Sequence, residues 1–598
     1  MRLFPKITIL ISLTFLGWHQ ITAQNADWLT TTERSGFRQT ARYQETNDYF
    51  FRFAQASPWV KIIPFGKSPE GRTLFLVIID RQQHFSPQAT QAASKPIVLI
   101  ENCIHPGECE GKDASMMLVR DLVIHRQFPD VLEKVILIII PIFNVDGHER
   151  FSPFNRINQN GPAEMGWRVT ATRLNLNRDF MKADTPEMRA WLKLFNDWQP
   201  HLFIDTHTTD GADFQYDILY NIDTHPEFGG AISQWAREVF LPEFIPACEA
   251  KGHLLCPYAG LIDRTDPAKG LRGGVWPPRL SNPYVTLRNR AGLLLETHSL
   301  KDYQTRVRAS YDFILAALQI VARNPAALLN AVASEDTRCQ SMGKLYDPGQ
   351  HFALTFQTTL KADSLFYRGY QFEIREGLVS GQKYLVYRPE PADVHTVYYN
   401  HVTPLITVPI PLGYLIPQQW QGVIDVIRAH GIQIFRLTEA ISDSFQCYRF
   451  QNPRWSDAPY EGRFRVSFEK KIGTEKFSLP AGTIYIPLAQ QNARLILHLL
   501  EPDAPDALIR WGFFNTIFEQ KEYFEHYTME PLAQQMLAAD PQLKDEFETK
   551  LAADSTFAKD SYQRLMFFYQ RSPYWDQNQN RYPVLRVIRP VQQKVLPL

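Results

Sequence analysis

His105 and Glu108 stand three positions apart in the stretch Glu101-Asn-Cys-Ile-His-Pro-Gly-Glu-Cys-Glu110. An imidazole nitrogen and a carboxylate oxygen at this spacing can turn towards one cation, and two His with one Glu form a catalytic zinc ligand set. Alone, His-x-x-Glu often arises by chance and fits equally well a polar turn that caps a helix. Two further residues give it weight. His207 follows the apolar run Leu202–Ile204 and Asp205-Thr206, and Glu296 follows Leu293–Leu295. His105, Glu108 and His207 together make three ligands and leave a fourth position for water, the catalytic rather than the closed structural arrangement. Glu296 is then a candidate base for that water, whose pKa zinc lowers to about 7.

These residues need elements to carry them. Ile97–Ile100 is short and apolar enough for a buried strand, and beyond Gly111 the spacing of Met117, Leu118, Leu122 and Val123 is helical. Val135–Ile140 is the most apolar run of the chain and reads as a central strand, ending in a turn at Phe143–Gly147. Thr185-Pro186-Glu187 has the residue types of a helix start, followed by a buried face of Met188, Trp191, Leu192, Phe195 and Trp198. Upstream, Glu45–Ala54 is expected to be helical, with strands over Trp59–Phe65 and Thr73–Ile79. Four buried strands alternating with helices predict an α/β sheet. In such a sheet, ligands gather beyond the carboxyl ends of the strands. Three of the apolar runs lead there directly, into His105 and Glu108, His207, and Glu296.

With these motifs in order, the chain resembles the zinc carboxypeptidases of the funnelin type. The residues that carry the likeness are His105-Pro-Gly-Glu108, Asn144-Val-Asp-Gly147, Trp167-Arg168, Asn177-Arg178, Asp205-Thr-His207 and Glu296, over about Asp27 to Asn324. The resemblance implies a mixed eight-stranded sheet flanked by helices. It implies one zinc ion per chain on His105, Glu108 and His207, with Glu296 as general base. Arg168 would steady the oxyanion, and Asn177 with Arg178 would grip the free carboxylate of a peptide substrate. Guanidinium forks suit both tasks. The chain departs from the family at two places. Asn175 stands where the family has an aspartate behind the first histidine, which removes a charge from the ligand's support; Asp179 is a carboxylate near enough in sequence to replace it. Tyr284 lies in the loop of the family's substrate-capping tyrosine, but in a different register. Two alternatives stay open: a related zinc amidohydrolase or deacylase acting on an N-acyl amino acid, and an inactive binding module of the same fold.

Composition agrees with an exported hydrolase. The 598 residues carry 63 basic and 63 acidic side chains, so nothing points to nucleic acid or to anionic lipid. Arg2, Lys6, an apolar Ile7–Trp18 and the small residue Ala23 read as a signal peptide over 1–23, hence a secreted or periplasmic protein. No later stretch has the roughly 20 apolar residues needed to span a bilayer. Six cysteines are too few for a disulfide scaffold, and Cys103/Cys109 and Cys248/Cys256 are neighbours whose pairing the sequence leaves open, as it does the oligomeric state. A catalytic domain is expected over 24–333, closed by a helix from Val307 to Val332, with a boundary near Ser334–Asp336. Residues 334–598 are expected to be an accessory region, β-rich and then mixed. It should hold a β-α-β pattern through Tyr414–Ile416, Gln418–His430 and Ile432–Leu437, and later helix over Trp511–Phe524 and Tyr562–Tyr569. It has no second catalytic constellation.

Overall fold

The computed structural model describes residues 28–591 and 595–598; the signal-peptide reading falls outside them. The sheet that carries the candidate residues has eight strands: β1 (Val60–Lys67), β2 (Thr73–Ile79), β3 (Ile97–Glu101), β4 (Ile136–Ile140), β5 (Leu202–Thr209), β6 (Ile218–Ile222), β7 (Leu255–Pro257) and β8 (Ala291–His298). Their order across the sheet is β1-β2-β4-β3-β5-β8-β6-β7. The four central strands, β4, β3, β5 and β8, run parallel. The flanking pairings β1–β2, β2–β4 and β8–β6 are antiparallel, so the sheet is mixed, as expected.

The central strands are hydrophobic on both faces because both faces are covered. Residues alternate between two cores: Ile97 and Leu99 of β3 face one, Val98 and Ile100 the other. On the second face lie α1 (Tyr43–Ala56), α2 (Glu110–Val123) and, later in the chain, the long helix Tyr303–Arg323. On the first face packs α3 (Pro186–Trp198), with the five apolar residues expected of it. Its start is as the sequence dictates: Thr185 accepts from the Met188 amide, with Pro186 next in line.

The expected helix at Val307–Val332 is two helices, Tyr303–Arg323 and Pro325–Ser341, bent by 84° where Pro325 cannot continue the first. Ser334–Asp336 lie inside the second of these. Among the described residues no single helix is long and apolar enough to cross a membrane; only this bent pair, taken together, passes by composition. The C-terminal region forms a seven-stranded sheet around Gly413–Ile416 and Ile484–Pro487, as well as a long hairpin, Asp363–Glu376 with Lys383–Tyr399. The β-α-β pattern is present as Gly413–Ile416, Gln421–Ala429 and Phe435–Leu437. Trp511–Phe524 is not a helix but turns around one short 3-10 segment, Asn515–Phe518, with Gly512 in the left-handed region at φ 78°. The first-face core runs without a break from Trp191 and Phe203 to Tyr414, Val423, Leu495 and Phe514.

Candidate active site

The parallel register brings the candidate residues together. Glu296 of β8 pairs with His207 of β5, and Asp205 of β5 pairs with Glu101 of β3. β3 ends at Glu101, and the next residues turn sharply, with Cys103 at φ 58°, before α2 begins at Glu110. His105 and Glu108 sit in that turn, which the Glu108 amide closes by donating to the His105 carbonyl (2.9 Å).

His105 Nδ1 lies 3.3 Å and His207 Nδ1 3.0 Å from Glu108 Oε2. All three side chains are buried, and their ligand atoms fall within 4.8 Å of one another. The far nitrogen of each ring is held from behind. His105 Nε2 meets Asn175 Oδ1 at 3.0 Å, and His207 Nε2 meets Asp205 Oδ2 at 2.8 Å. Such contacts fix which nitrogen keeps its lone pair, here Nδ1 on both rings. Burial pushes the His105 imidazolium down to about 4, so this ring is neutral and fit to be a ligand. Burial acts the same way on His207, but the charge of Asp205 and its hydrogen bond win and raise it. Glu108 is held well below the usual carboxylate range, despite its burial, by His105 and by Arg156. Two neutralisable imidazoles and a low-pKa carboxylate are the donor set zinc prefers.

These residues line a cavity of about 490 Å³ together with Glu296, Arg168, Asn177 and Arg178. Glu296 is buried, and burial pushes its carboxyl up to about 8; His207 opposes the shift, and Glu108 and Asp205 add to it. Arg168 reaches Glu108 Oε1 at 3.1 Å from a more exposed position. Asn177 lies 3.4 Å from His207 Nε2 through Nδ2, and its Oδ1 accepts from the Ser281 amide.

A family model described as zinc carboxypeptidase matches residues 46–228. This part of the chain belongs to the zinc carboxypeptidase family. The match spans the two histidines and Glu108, and it makes the domain a metallocarboxypeptidase by family, a hydrolase of peptide bonds. Over 480 residues the chain is 22% identical to Carboxypeptidase 2 of Trichophyton rubrum, covering 78% of this chain and 83% of the relative. Among solved structures it is similar to a metallo-carboxypeptidase from Burkholderia cenocepacia (18% identity, 47% of this chain and 69% of that one, TM-score 0.34). It is also similar to the carboxypeptidase A of Helicoverpa armigera (17% identity, 55% and 88%, TM-score 0.35).

Two expectations about the site's residues are not met. Tyr284 does not reach the cavity. It lies in the helix α4 (Ser281–Leu287), fully buried between Phe180 and Trp191, and its hydroxyl is shared between Arg288 and His430 Nδ1. The cavity's aromatic residues are instead Tyr258 and Trp276. Asp179 does not stand in for the missing charge behind His105 either. It pairs with Lys182 and accepts from the backbone and hydroxyl of Thr185, closing the start of α3.

Arg156 went unnoticed in the sequence. Its Nη1 donates to Glu108 Oε1 at 2.7 Å and its Nη2 to the Thr208 carbonyl at 3.3 Å. Its stem runs over Gly107, where an added Cβ would stand 2.8 Å from Arg156 Cδ. A glycine between the two ligands is therefore what admits the arginine. The only local signal is that glycine, since Arg156 comes from a polar loop with no pattern of its own.

All six cysteines are buried free thiols. Cys103, Cys109 and His148 form a second group of ligand-type atoms within 4.8 Å. Beside this group lies the fully buried ammonium of Lys112. Lys112 Nζ reaches His148 Nε2 (3.4 Å) and Asp113 (3.5 Å) and donates to the Ala41 carbonyl, so its three hydrogens are spoken for.

Proposed function

We propose that the protein is a secreted or periplasmic carboxypeptidase that removes the C-terminal residue of peptides, cell-wall-derived ones included. The observation that carries this reading is the meeting of His105, His207 and Glu108 at one wall of a cavity whose other polar residues include Glu296, Arg168, Asn177 and Arg178. His105 Nδ1, His207 Nδ1 and a carboxylate oxygen of Glu108 would hold one zinc ion. When bound, it supplies Lewis acidity, lowering the pKa of water towards about 7 and polarising a carbonyl.

The chain's own residues do the rest. Asn177 and Arg178 take the free carboxylate of the last residue, which sets the scissile bond against the centre. Glu296 accepts a proton from the attacking water and passes it to the leaving amine, acting first as general base and then as general acid. Arg168, partly exposed at the cavity wall, meets the oxyanion that develops on the carbonyl. Arg156 stays paired with Glu108 and fixes the orientation of that ligand.

The test compares a peptide free acid with its C-terminal amide, on protein of measured zinc content. The expected result is one zinc per chain and at least a tenfold preference in kcat/KM for the acid, since a charged hydrogen bond is worth about 1.5–3 kcal/mol. Equal rates on acid and amide would exclude the exopeptidase reading while leaving the zinc centre intact.

A further inference from the structure

The C-terminal region sends one turn into the neighbourhood of the cleft. Tyr460 and Arg463 face each other across a two-residue turn, with Glu461 at φ 50° and Gly462 at φ 76°. Two successive left-handed residues are what tight hairpin turns of this kind require. Glycine adopts that conformation freely, but glutamate does so only against steric cost. Side chains in strained backbone gather where their placement matters.

Glu461 Oε2 accepts from the Asn175 amide at 2.9 Å, behind the residue that holds His105. Arg463 makes a two-pronged pair with Asp184, at 2.7 and 2.6 Å. The Tyr460 ring stacks on Trp511 at 5.9 Å and 13°. Those contacts fix the turn without the Tyr460 hydroxyl. The hydroxyl instead accepts from Arg178 Nε at 3.2 Å. Arg178 Nη1 donates to the Asn177 carbonyl at 2.7 Å, which leaves Nη2 without a partner among the described residues.

We propose that Tyr460, carried on this turn, is a positioning residue that holds the Arg178 guanidinium ready for the terminal carboxylate of a peptide. This rests on the carboxylate-binding role proposed above for Arg178. An arginine free to rotate must be ordered anew by each substrate. One pinned at Nε and Nη1 presents its remaining hydrogens in place, so the hydroxyl acts on binding rather than on the chemical step.

The test uses full-length protein carrying Tyr460→Phe, which keeps the stack on Trp511 and loses only the hydroxyl. On a peptide free acid, KM should rise about three- to tenfold, the worth of one hydrogen bond, with kcat within twofold and an unchanged Tm. The rate on the peptide amide should not move. Arg178→Ala should abolish the effect, so that the double variant is no slower than Arg178→Ala alone. If the wild type prefers the acid and Tyr460→Phe behaves like it, or if the two losses add, Tyr460 does not act through Arg178 and the proposal falls. If the wild type cuts acid and amide alike, the carboxylate reading of Arg178 falls first and takes this one with it.

Discussion

Asp205 decides how firmly His207 is oriented, because its carboxylate holds the ring nitrogen opposite the one that faces Glu108. Asp205→Asn is expected to weaken zinc binding about 10- to 100-fold, measured by chelator competition, whereas Asp179→Asn should leave it unchanged. Equal effects would mean that Asp205 only supports the fold. Glu296→Gln should keep zinc and lose about 10²–10⁴-fold in kcat, because an amide cannot accept the water's proton. The same variant tests a pH effect in metal-free protein. The Glu296 carboxyl has an ordinary value of 4.5 and is pushed by burial to about 8 in the fold. Between those values the folded state keeps a proton that the unfolded chain has released, so stability falls as pH rises. Chelator-treated Glu296→Gln should therefore match wild type near pH 4.5 and exceed it by pH 8, the gap growing by at most about 1.4 kcal/mol per unit in denaturant melts. A gap that does not vary with pH would refute the buried, protonated carboxyl. At this scale the meeting of His105, Glu108, His207 and Glu296 was legible because each comes within a few residues of the end of an apolar run. Arg156 and Tyr460 were not, because their partners lie 48 and 282 residues away. Tyr284 misled because residue type and loop were right, while the helical turn it sits in points it into the core.

Helix α2 must press close to β5 for the turn between β3 and α2 to bring His105 and Glu108 up to His207. Gly111 marks the contact: a Cβ there would stand 2.2 Å from Thr206 Oγ1 and 2.6 Å from Asn102 Oδ1. Gly111→Ala is expected to cost about 1–3 kcal/mol of stability, the usual range for overpacking. It should lower zinc affinity as well, since α2 follows directly on Glu108. Thermal melts with and without zinc would show both effects, and an unchanged Tm would mean that the helix shifts freely. The strands were legible as elements because β3, β4, β5 and β8 are buried on both faces and so read as unbroken apolar runs. Trp511–Phe524 was not, because its aromatic residues serve a core that the rest of the chain supplies. The long helix was misjudged at Pro325, which marks a corner where periodicity alone continues across it.

The molecule does not divide where its sequence changes character. Beyond the shared core, Arg288 donates to Asn492, Tyr284 bonds to His430, and the buried Arg494 donates to Asn289 and to the Phe228 and Thr286 carbonyls. A chain ending at residue 342 would lose Tyr414, Val423, Leu495 and Phe514 from the shared core and strand these polar groups. It is expected to lose cooperative unfolding, seen as a lost near-ultraviolet dichroism signal, and to lose peptide cleavage in a direct assay. A soluble, active fragment would show that the C-terminal region only decorates the domain. None of this long-range stitching could be read from local spacing, since the partners on the C-terminal side, Asn492, His430 and Arg494, belong to no motif. The contacts Tyr460–Arg178 and Glu461–Asn175 span 282 and 286 residues of chain. At the usual pace of synthesis, about 5–20 residues per second, that gap is a wait of roughly 14 to 57 s. From the making of Glu296 to that of Glu461, about a quarter of the whole synthesis, the nascent chain carries its proposed zinc ligands and base without the Tyr460–Arg463 turn, so the arrangement is complete only once about three-quarters of the chain has been translated.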